Sequence, residues 1–533
     1  MHHQVQPVLS TGAPAAPRER LAIGALLAGF AVVLLFRLGA ADLQSHAEQR
    51  VWDVMRGMDA TGDWLVPRQG GAVRLNKPPL YYWCATACAA ALGGGSLVAL
   101  RLPAALAALA LVWVTWRWGR SLGGPRLGLL AAAALACMEL FGTQGRTGVA
   151  EMFLALFCTL GLATFDRMAL PPEPGDAGAR RHRRLLPLFA LWTALAILSK
   201  ATVALMILGV PAALLLVLER RARRAFTARV AGWVALAVVL GFAWYLIVTV
   251  AVPGAFRTLQ ATLMLPLGVR LPGAETSAGH MRAPTFFLAS LALSAFPVTV
   301  LLPSLVARGW RSRLWSGQRV RFVALAFVSL FLCFSAIPQK QKHYMLPLLP
   351  LLALLCAESL VALETHAPAA LRRLLVVLGV LACALAVPVL GLLHVVYVQA
   401  MHLPPAAWAG VAVLTVALLA WLMRSALRGD LPAFTGAALT GGLLALLCYH
   451  GSLEPWQRQF ESGDVARRPD YDPARWRAVF AEWPALEGAF RAGATAASDP
   501  VTADPVATDP VTTDPAAAHP FATEPFANDP ADG

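Results

Sequence analysis

The chain has 533 residues, of which 58% are apolar and 14% charged, with a mean hydropathy of +0.61 and a formal net charge of +14 at pH 7. A soluble chain carries about a quarter of its residues charged, so a water-soluble enzyme is excluded. The apolar runs are long and do not alternate, which excludes a membrane β-barrel and predicts an all-α polytopic membrane protein. The positive charge lies mostly in short loops between the runs, where lipid headgroups and the positive-inside bias account for it. Membrane lipids are therefore predicted partners, and nucleic acid is not.

Residues 1–18 are polar and predicted to be a disordered cytoplasmic segment. Arg18 and Arg20 precede a full-length apolar run at 21–40, which reads as an anchor rather than a cleaved leader. A polar loop follows at 41–79. Further apolar segments fall near 101–116, 127–144, 149–166, 185–199, 201–218, 230–251, 284–306, 322–337, 344–362, 373–395, 405–422 and 431–449. The segment 80–97, which starts Tyr-Tyr-Trp and contains Gly-Gly-Gly, is assigned to the membrane interface. Threading it across would put the arginine clusters at 117–126 and 180–184 outside. About thirteen spans result, N-terminus inside and C-terminus outside, with interfacial helices in the first outer loop. Residues 19–362 read as one module with outer loops 41–100 and 252–283, and 363–450 as C-terminal transmembrane helices. Residues 451–495 read as a small extracytoplasmic region. In 496–533 a proline recurs every five residues from Pro500 to Pro530, which rules out a long helix and predicts an extended tail. The eight cysteines lie mostly in apolar runs and read as small apolar residues.

Four of the 44 basic residues are lysines: Lys77, Lys200, Lys340 and Lys342. The predicted topology puts all four on the outer face, against the positive-inside bias, and an anionic ligand at headgroup depth would explain them. Lys77 precedes Pro78 and Pro79. Lys200 separates two apolar segments as a tight outer hairpin, where an unpaired charge is costly unless it snorkels. Lys340, Lys342, His343 and Tyr344 enter a span together, and Pro347 and Pro350 predict an interrupted helix there.

Acids gather in the first loop, where Asp42, Glu48 and Asp53 stand near His46 and Arg50. A carboxylate at the outer end of a span can serve as general base. Arg146 and Glu151 lie five apart, either as a structural ion pair or with Glu151 facing the first-loop acids across a substrate or cation. Tyr81 and Tyr82, and Arg270 in the 252–283 loop, complete the candidates. With no phosphate-binding glycine loop, a cytosolic nucleotide donor is not predicted, and a lipid-borne phosphate fits the cations. No tight ligand spacing supports a metal, and a divalent cation held by His46, Glu48 and Glu151 stays open.

Several segments resemble a known family in order and rough spacing. They are HAEQRVWDVMRGMDATGDWLVPRQGGAVRLNKPPLYYW, RLPAAL at 101–106, LSK at 198–200 and SAIPQKQKHYMLP at 335–347. The family is that of the bacterial polyprenyl-phosphate-sugar glycosyltransferases, which includes the lipid A aminoarabinose transferases and is related to the dolichyl-phosphate-mannose protein mannosyltransferases. The resemblance covers roughly residues 20–360 and implies the GT-C fold. It implies transfer of a sugar, with inversion, from a polyprenyl-phosphate donor to a hydroxyl or phosphate. The acceptor would be a lipid A-like lipid, another envelope lipid or glycan, or a protein. Glu48 falls at the second residue of the family's Asp-Glu pair and Arg50 at its following arginine, but Ala47 stands at the first position. Asn76 replaces a glutamate before Lys77. By the resemblance, Glu48 is the first candidate for general base, Asp42 its reserve and Glu151 the second acid. Lys77, Lys200 and Lys340, with Arg50, Lys342 and Tyr344, would hold the donor phosphate. The composition and the resemblance together predict a bacterial inner membrane protein with an outward-facing site. A transporter of lipid-linked sugars without transfer chemistry is the alternative, although no pair of short broken helices repeats along the chain.

Overall fold

Helices follow the apolar runs closely. The computed structural model describes residues 15–40, 43, 45–169, 176–219, 227–264, 282–302, 318–394 and 405–448. Asp42, Arg270, the 451–495 region, the 496–533 tail and most of the 1–18 and 252–283 segments lie outside the described residues. In chain order the first elements are α1 (Pro17–Leu35), α2 (His46–Thr61), a two-stranded hairpin of β1 (Arg68–Gln69) and β2 (Ala72–Val73), α3 (Leu80–Ala91) and α4 (Leu97–Gly123). Then come α5 (Pro125–Ala136), α6 (Glu139–Gln144), α7 (Glu151–Met168), α8 (Asp176–Leu218), α9 (Ala228–Ala251), α10 (Ala255–Met264) and α11 (Phe286–Ser294). The last are α12 (Gln318–Ala336), a 3-10 turn at Lys342–Leu348, α13 (Leu349–His366), α14 (Pro368–His394), α15 (Pro405–Arg428) and α16 (Leu431–Cys448).

Among the described residues seven helical segments are long and apolar enough to cross a membrane: Leu97–Gly123, Arg183–Leu218, Ala228–Ala251, Arg319–Ala336, Lys342–His366, Pro368–Val387 and Ala409–Arg428. The chain is thus a multi-span helical membrane protein. The predicted count of about thirteen is not reached by length and apolarity alone. Helix α5 is short, α7 carries Glu151, Asp166 and Arg167, and Lys200 divides α8. Helix α3 has 12 residues, about 18 Å of helix against a hydrocarbon core of about 30 Å. This is the short element that the interfacial assignment of 80–97 requires.

Lys200 has extended backbone (φ −163°, ψ 76°) inside an otherwise helical stretch. Both halves of α8 run back along α7 from that point. Phe189, before the break, lies against Phe165 at 6.0 Å between centroids. Leu208, after it, meets Gly161, where a Cβ would come within 2.7 Å of its Cδ2. The reversal at Lys200 is therefore the predicted hairpin, and it leaves the ammonium group at the head of α7.

Ion pairs sort to the two ends of the bundle. At one end Glu19 of α1 pairs with Arg120 of α4 at 2.9 Å, and Arg126 of α5 with Glu364 of α13. There too Asp166 of α7 accepts from Trp118 Nε1 at 2.9 Å and from Arg319 of α12 at 2.6 and 3.0 Å. The same guanidinium reaches Ser121 Oγ at 2.9 Å. The other end collects α2, α3, the hairpin, the head of α7, the Lys200 reversal and the 3-10 turn. Removing Arg319 would leave a buried aspartate short of its countercharge, which costs about 3–5 kcal/mol. Arg319→Ala is therefore expected to lower the thermal unfolding midpoint of the purified protein sharply, while Arg126→Ala, at an exposed pair, changes it little.

Candidate functional site

The first loop is built by local capping. Ser45 caps α2, its hydroxyl accepting from Glu48 N at 3.2 Å, and Gly62 ends the helix in the left-handed conformation (φ 69°). Asp63 then accepts from the amides of Leu65 and Val66, each at 3.1 Å. Two indoles fasten this corner: Trp83 of α3 donates to Trp64 O at 2.7 Å and Trp244 of α9 to Leu65 O at 2.9 Å. Gly70 and Gly71 both take positive φ (57° and 87°), as a two-residue hairpin turn demands. Arg68 pairs with Val73 and Gln69 with Ala72, and Gln69 also donates to Asp53 at 3.2 Å. From β2 the chain passes through Lys77 and the two prolines into α3, which sets Lys77 over the head of α7.

Glu151, the first residue of α7, is the centre of the site. Its Oε1 faces Lys200 Nζ at 3.2 Å, His343 Nε2 at 3.7 Å and Lys77 Nζ at 3.8 Å. Its Oε2 is buried and has no hydrogen-bond partner. A cavity of about 130 Å³ opens here, with Glu151, Lys200, Gln339, His343 and Tyr344 as its polar lining. Leu154, Val203, Phe334, Ile337 and Pro347 form its apolar wall. The Lys200 ammonium also lies 5.0 Å from the centroid of the Tyr344 ring, within cation–π range. Two ammonium groups face one carboxylate, an excess of one positive charge before His343 is counted. Glu151 stabilises the Lys77 ammonium, yet burial together with Lys200, Arg50 and Arg74 outweighs that pull and holds Lys77 below the ordinary lysine range. A cation crowded in this way favours an incoming anion.

Other predicted residues are placed elsewhere. Glu48 is fully buried and forms a two-pronged pair with Arg101 of α4, Nε to Oε1 at 2.8 Å and Nη2 to Oε2 at 3.1 Å. Gly148 N donates to the same Oε1 at 2.7 Å. The first candidate for general base is thus sealed in an ion pair under the loop, and does not line the cavity. Arg146 turns to the end of α1, donating to Val33 O, Leu34 O and Phe36 O at 2.7–2.9 Å. Lys340 is buried and donates to Ile337 O at 2.5 Å and Arg282 O at 3.1 Å, and Lys342 pairs with Glu139 at 2.7 Å. Tyr81 donates to Leu100 O at 2.8 Å. Tyr82 is buried beside Arg74, and Arg50 is close enough to Lys77 to act on its charge. His46 is exposed in the first turn of α2, where its carbonyl accepts from Arg50 at 3.1 Å. Among the described residues no three His, Cys, Asp or Glu side chains converge as a metal site, and Glu151 faces ammonium groups instead.

Arg101 was not among the predicted site residues. Its signal was present as a single arginine just after the start of a long apolar run, where a charge must find a buried partner.

The chain is similar to known proteins in sequence and in fold. Residues 76–248 match the family described as dolichyl-phosphate-mannose-protein mannosyltransferase. The undecaprenyl phosphate-alpha-4-amino-4-deoxy-L-arabinose arabinosyl transferase 1 of Sodalis glossinidius is 30% identical over 342 residues, 63% of this chain and 58% of that protein. The corresponding transferase 1 of Pseudomonas fluorescens is 26% identical, over 64% of this chain and 58% of its own length. The crystal structure of ArnT from Cupriavidus metallidurans in the apo state superposes with a TM-score of 0.64 at 22% identity, covering 84% of this chain and 79% of that one. Its form bound to undecaprenyl phosphate gives the same score at 21% identity, covering 85% and 80%.

The resemblance to the polyprenyl-phosphate-sugar glycosyltransferase superfamily is borne out. The fold is of the GT-C type, and the chain spans about 58% of the length of the curated relatives it matches. Lys77, Glu151 and Lys200 fall inside the segment matched to the mannosyltransferase family, whereas His343 and Tyr344 reach the cavity from beyond it.

Because the buried Lys340 ammonium donates to two part-buried carbonyls, its removal leaves both without that donor, a loss of about 1–3 kcal/mol. Lys340→Met is expected to lower thermal stability while leaving binding of a lipid phosphate within about twofold of wild type. A stable protein with lost phosphate affinity would return Lys340 to the ligand set.

Proposed function

We propose that the chain transfers a glycosyl residue, with inversion, from a polyprenyl-phosphate donor to an acceptor oxygen at the outer, periplasmic face of a bacterial inner membrane. The observation that carries this reading is the cavity at the head of α7, lined by Lys200, Glu151, His343 and Tyr344 together with five apolar side chains, with Lys77 on Glu151 beside it. A phosphate suits the ammonium groups of Lys77 and Lys200, and a prenyl chain suits Leu154, Val203, Phe334 and Ile337. The names of the curated relatives, which carry undecaprenyl phosphate-linked aminoarabinose, support the same donor class.

In this mechanism the acceptor oxygen attacks C1 of the sugar as the bond from C1 to the phosphate oxygen breaks. The electron pair leaves with the polyprenyl phosphate, and Lys77 and Lys200 hold the charge that grows there, with Tyr344 and His343 beside them. A phosphate is a good leaving group and needs no proton from the protein. An acceptor hydroxyl gives its proton to Glu151, whose Oε2 has no other partner. An acceptor phosphate brings no proton, and Glu151 then serves to orient the cations. Asp42, the reserve base, retains that candidacy. The acceptor classes are a lipid A-like lipid, another envelope lipid or glycan, and a protein.

The test is turnover by the purified protein in nanodiscs, supplied with a panel of undecaprenyl-phosphate sugars and a membrane extract as acceptor. Release of the carrier together with a matching mass gain in one acceptor supports the reading. Donor lipid that crosses the bilayer intact, with no carrier released, overturns it in favour of transport. Glu151→Gln is expected to cut turnover by about 10²-fold or more. Lys200→Met is expected to lose about 10²-fold through the departing phosphate. Retained turnover in both variants would move the reaction away from this cavity.

A further inference from the structure

Glu48 and Arg101 form the most deeply buried ion pair described, with Glu48 fully buried and Arg101 1% exposed. Both carboxylate oxygens are engaged by one guanidinium, which also donates to Leu38 O at 2.9 Å. A base enclosed in this way cannot receive a proton from an acceptor without first losing its countercharge. The pair does reach the site by another route. Glu48 Oε1 holds the amide of Gly148 at 2.7 Å, three residues before Glu151.

The segment between these points is held from both sides. Arg146 is seated in the terminal carbonyls of α1, and Gly148 is pulled against Glu48 and α4. A Cβ at Gly148 would lie 2.5 Å from Leu100 Cγ and 3.2 Å from Glu48 Oε1, so the close approach requires glycine. Tyr81 fastens α3 to Leu100 O, next to Arg101. The head of α7 is therefore tied to the Arg101–Glu48 pair through the Gly148 amide.

We infer that Arg101 is a positioning residue for Glu151, acting through the Glu48 carboxylate and the Gly148 amide. The inference rests on the transferase reading for its consequence in turnover, though its structural content does not. A shift of about 1 Å at a reacting group costs about 10²-fold in rate, and Glu151 Oε1 has two ammonium groups and an imidazole to keep in register.

The experiment uses the full chain in nanodiscs with Arg101→Lys, Glu48→Gln and Gly148→Ala. Arg101→Lys keeps the charge and loses the second prong. Gly148→Ala leaves the ion pair intact and displaces the amide, and it decides the question if Arg101→Lys does not purify as a folded protein. The first readout is amide hydrogen exchange across residues 146–151, expected to rise about tenfold in each variant. Unchanged exchange overturns the proposal whether or not the protein turns over any donor.

The second readout is steady-state kinetics, in which all three variants are expected to lose about 10²-fold, mainly in kcat, with the wild-type pH profile retained. Turnover within about twofold of wild type in Arg101→Lys and Gly148→Ala, with a loss of about 10²-fold or more in Glu48→Gln and a changed pH profile in its residual activity, would overturn it and make Glu48 the base. A wild-type protein inactive with every donor counts against the transferase reading alone, and hydrogen exchange still decides the positioning role.

Discussion

A carboxylate withdrawn from water at the head of α7 must be matched by positive charge or hydrogen-bond donors, and three distant parts of the chain supply them. Lys77 comes from the first loop, Lys200 from the reversal inside α8 and His343 from the 3-10 turn before α13. Each approaches on backbone that has left regular helix: a Pro-Pro entry, an extended residue and a proline-bearing turn. Such backbone is tolerated at membrane depth where protein or a cavity surrounds it. The irregular segments and the buried charge therefore depend on one another.

The two ends of the bundle use charge differently. At the end of Asp166 and Glu19, each of these acids has its own arginine across a helix pair, so charge is balanced one to one and the helix ends are stapled. At the end of Glu151 the cations outnumber the carboxylate they share, and one carboxylate oxygen is left without a partner. A structural pair minimises such imbalance, because an unmatched buried charge is expensive. Imbalance beside an apolar-walled cavity suits an amphiphile with an anionic head, the donor class of the proposed reaction.

Loop 1 shows how a polar segment without a core of its own acquires fixed geometry. Caps at Ser45, Gly62 and Asp63 set local turns, and then indole donors and the hairpin tie them to α2, α3 and α9. The Glu48–Arg101 pair adds a buried two-pronged contact between this loop and the bundle interior. A charged group used in this manner is a matter of register, with packing around it supplying the stability.

Much was legible in the sequence because bilayer physics acts on composition and spacing. Long apolar runs specified the helices, and Lys200 between two runs specified a reversal. The lysines and Glu151 were identifiable as unusual charges, since each is costly at its depth. What the sequence could not decide is which cation meets which partner. Glu48, Lys340 and Arg146 look as available in the sequence as Glu151 and Lys200, yet they are consumed by Arg101, by two carbonyls and by the end of α1. Arg101 was legible as a buried charge but not as Glu48's partner, because those residues stand 53 apart and meet through packing of α2 on α4. The Gly-Gly turn was a local signal for a hairpin that the helical reading of the loop passed over. Membrane insertion is read from a residue's own chemistry, whereas partner choice is a contest among all donors and acceptors brought within reach. That contest was settled by the tertiary structure, and it left Glu151 among the lysines.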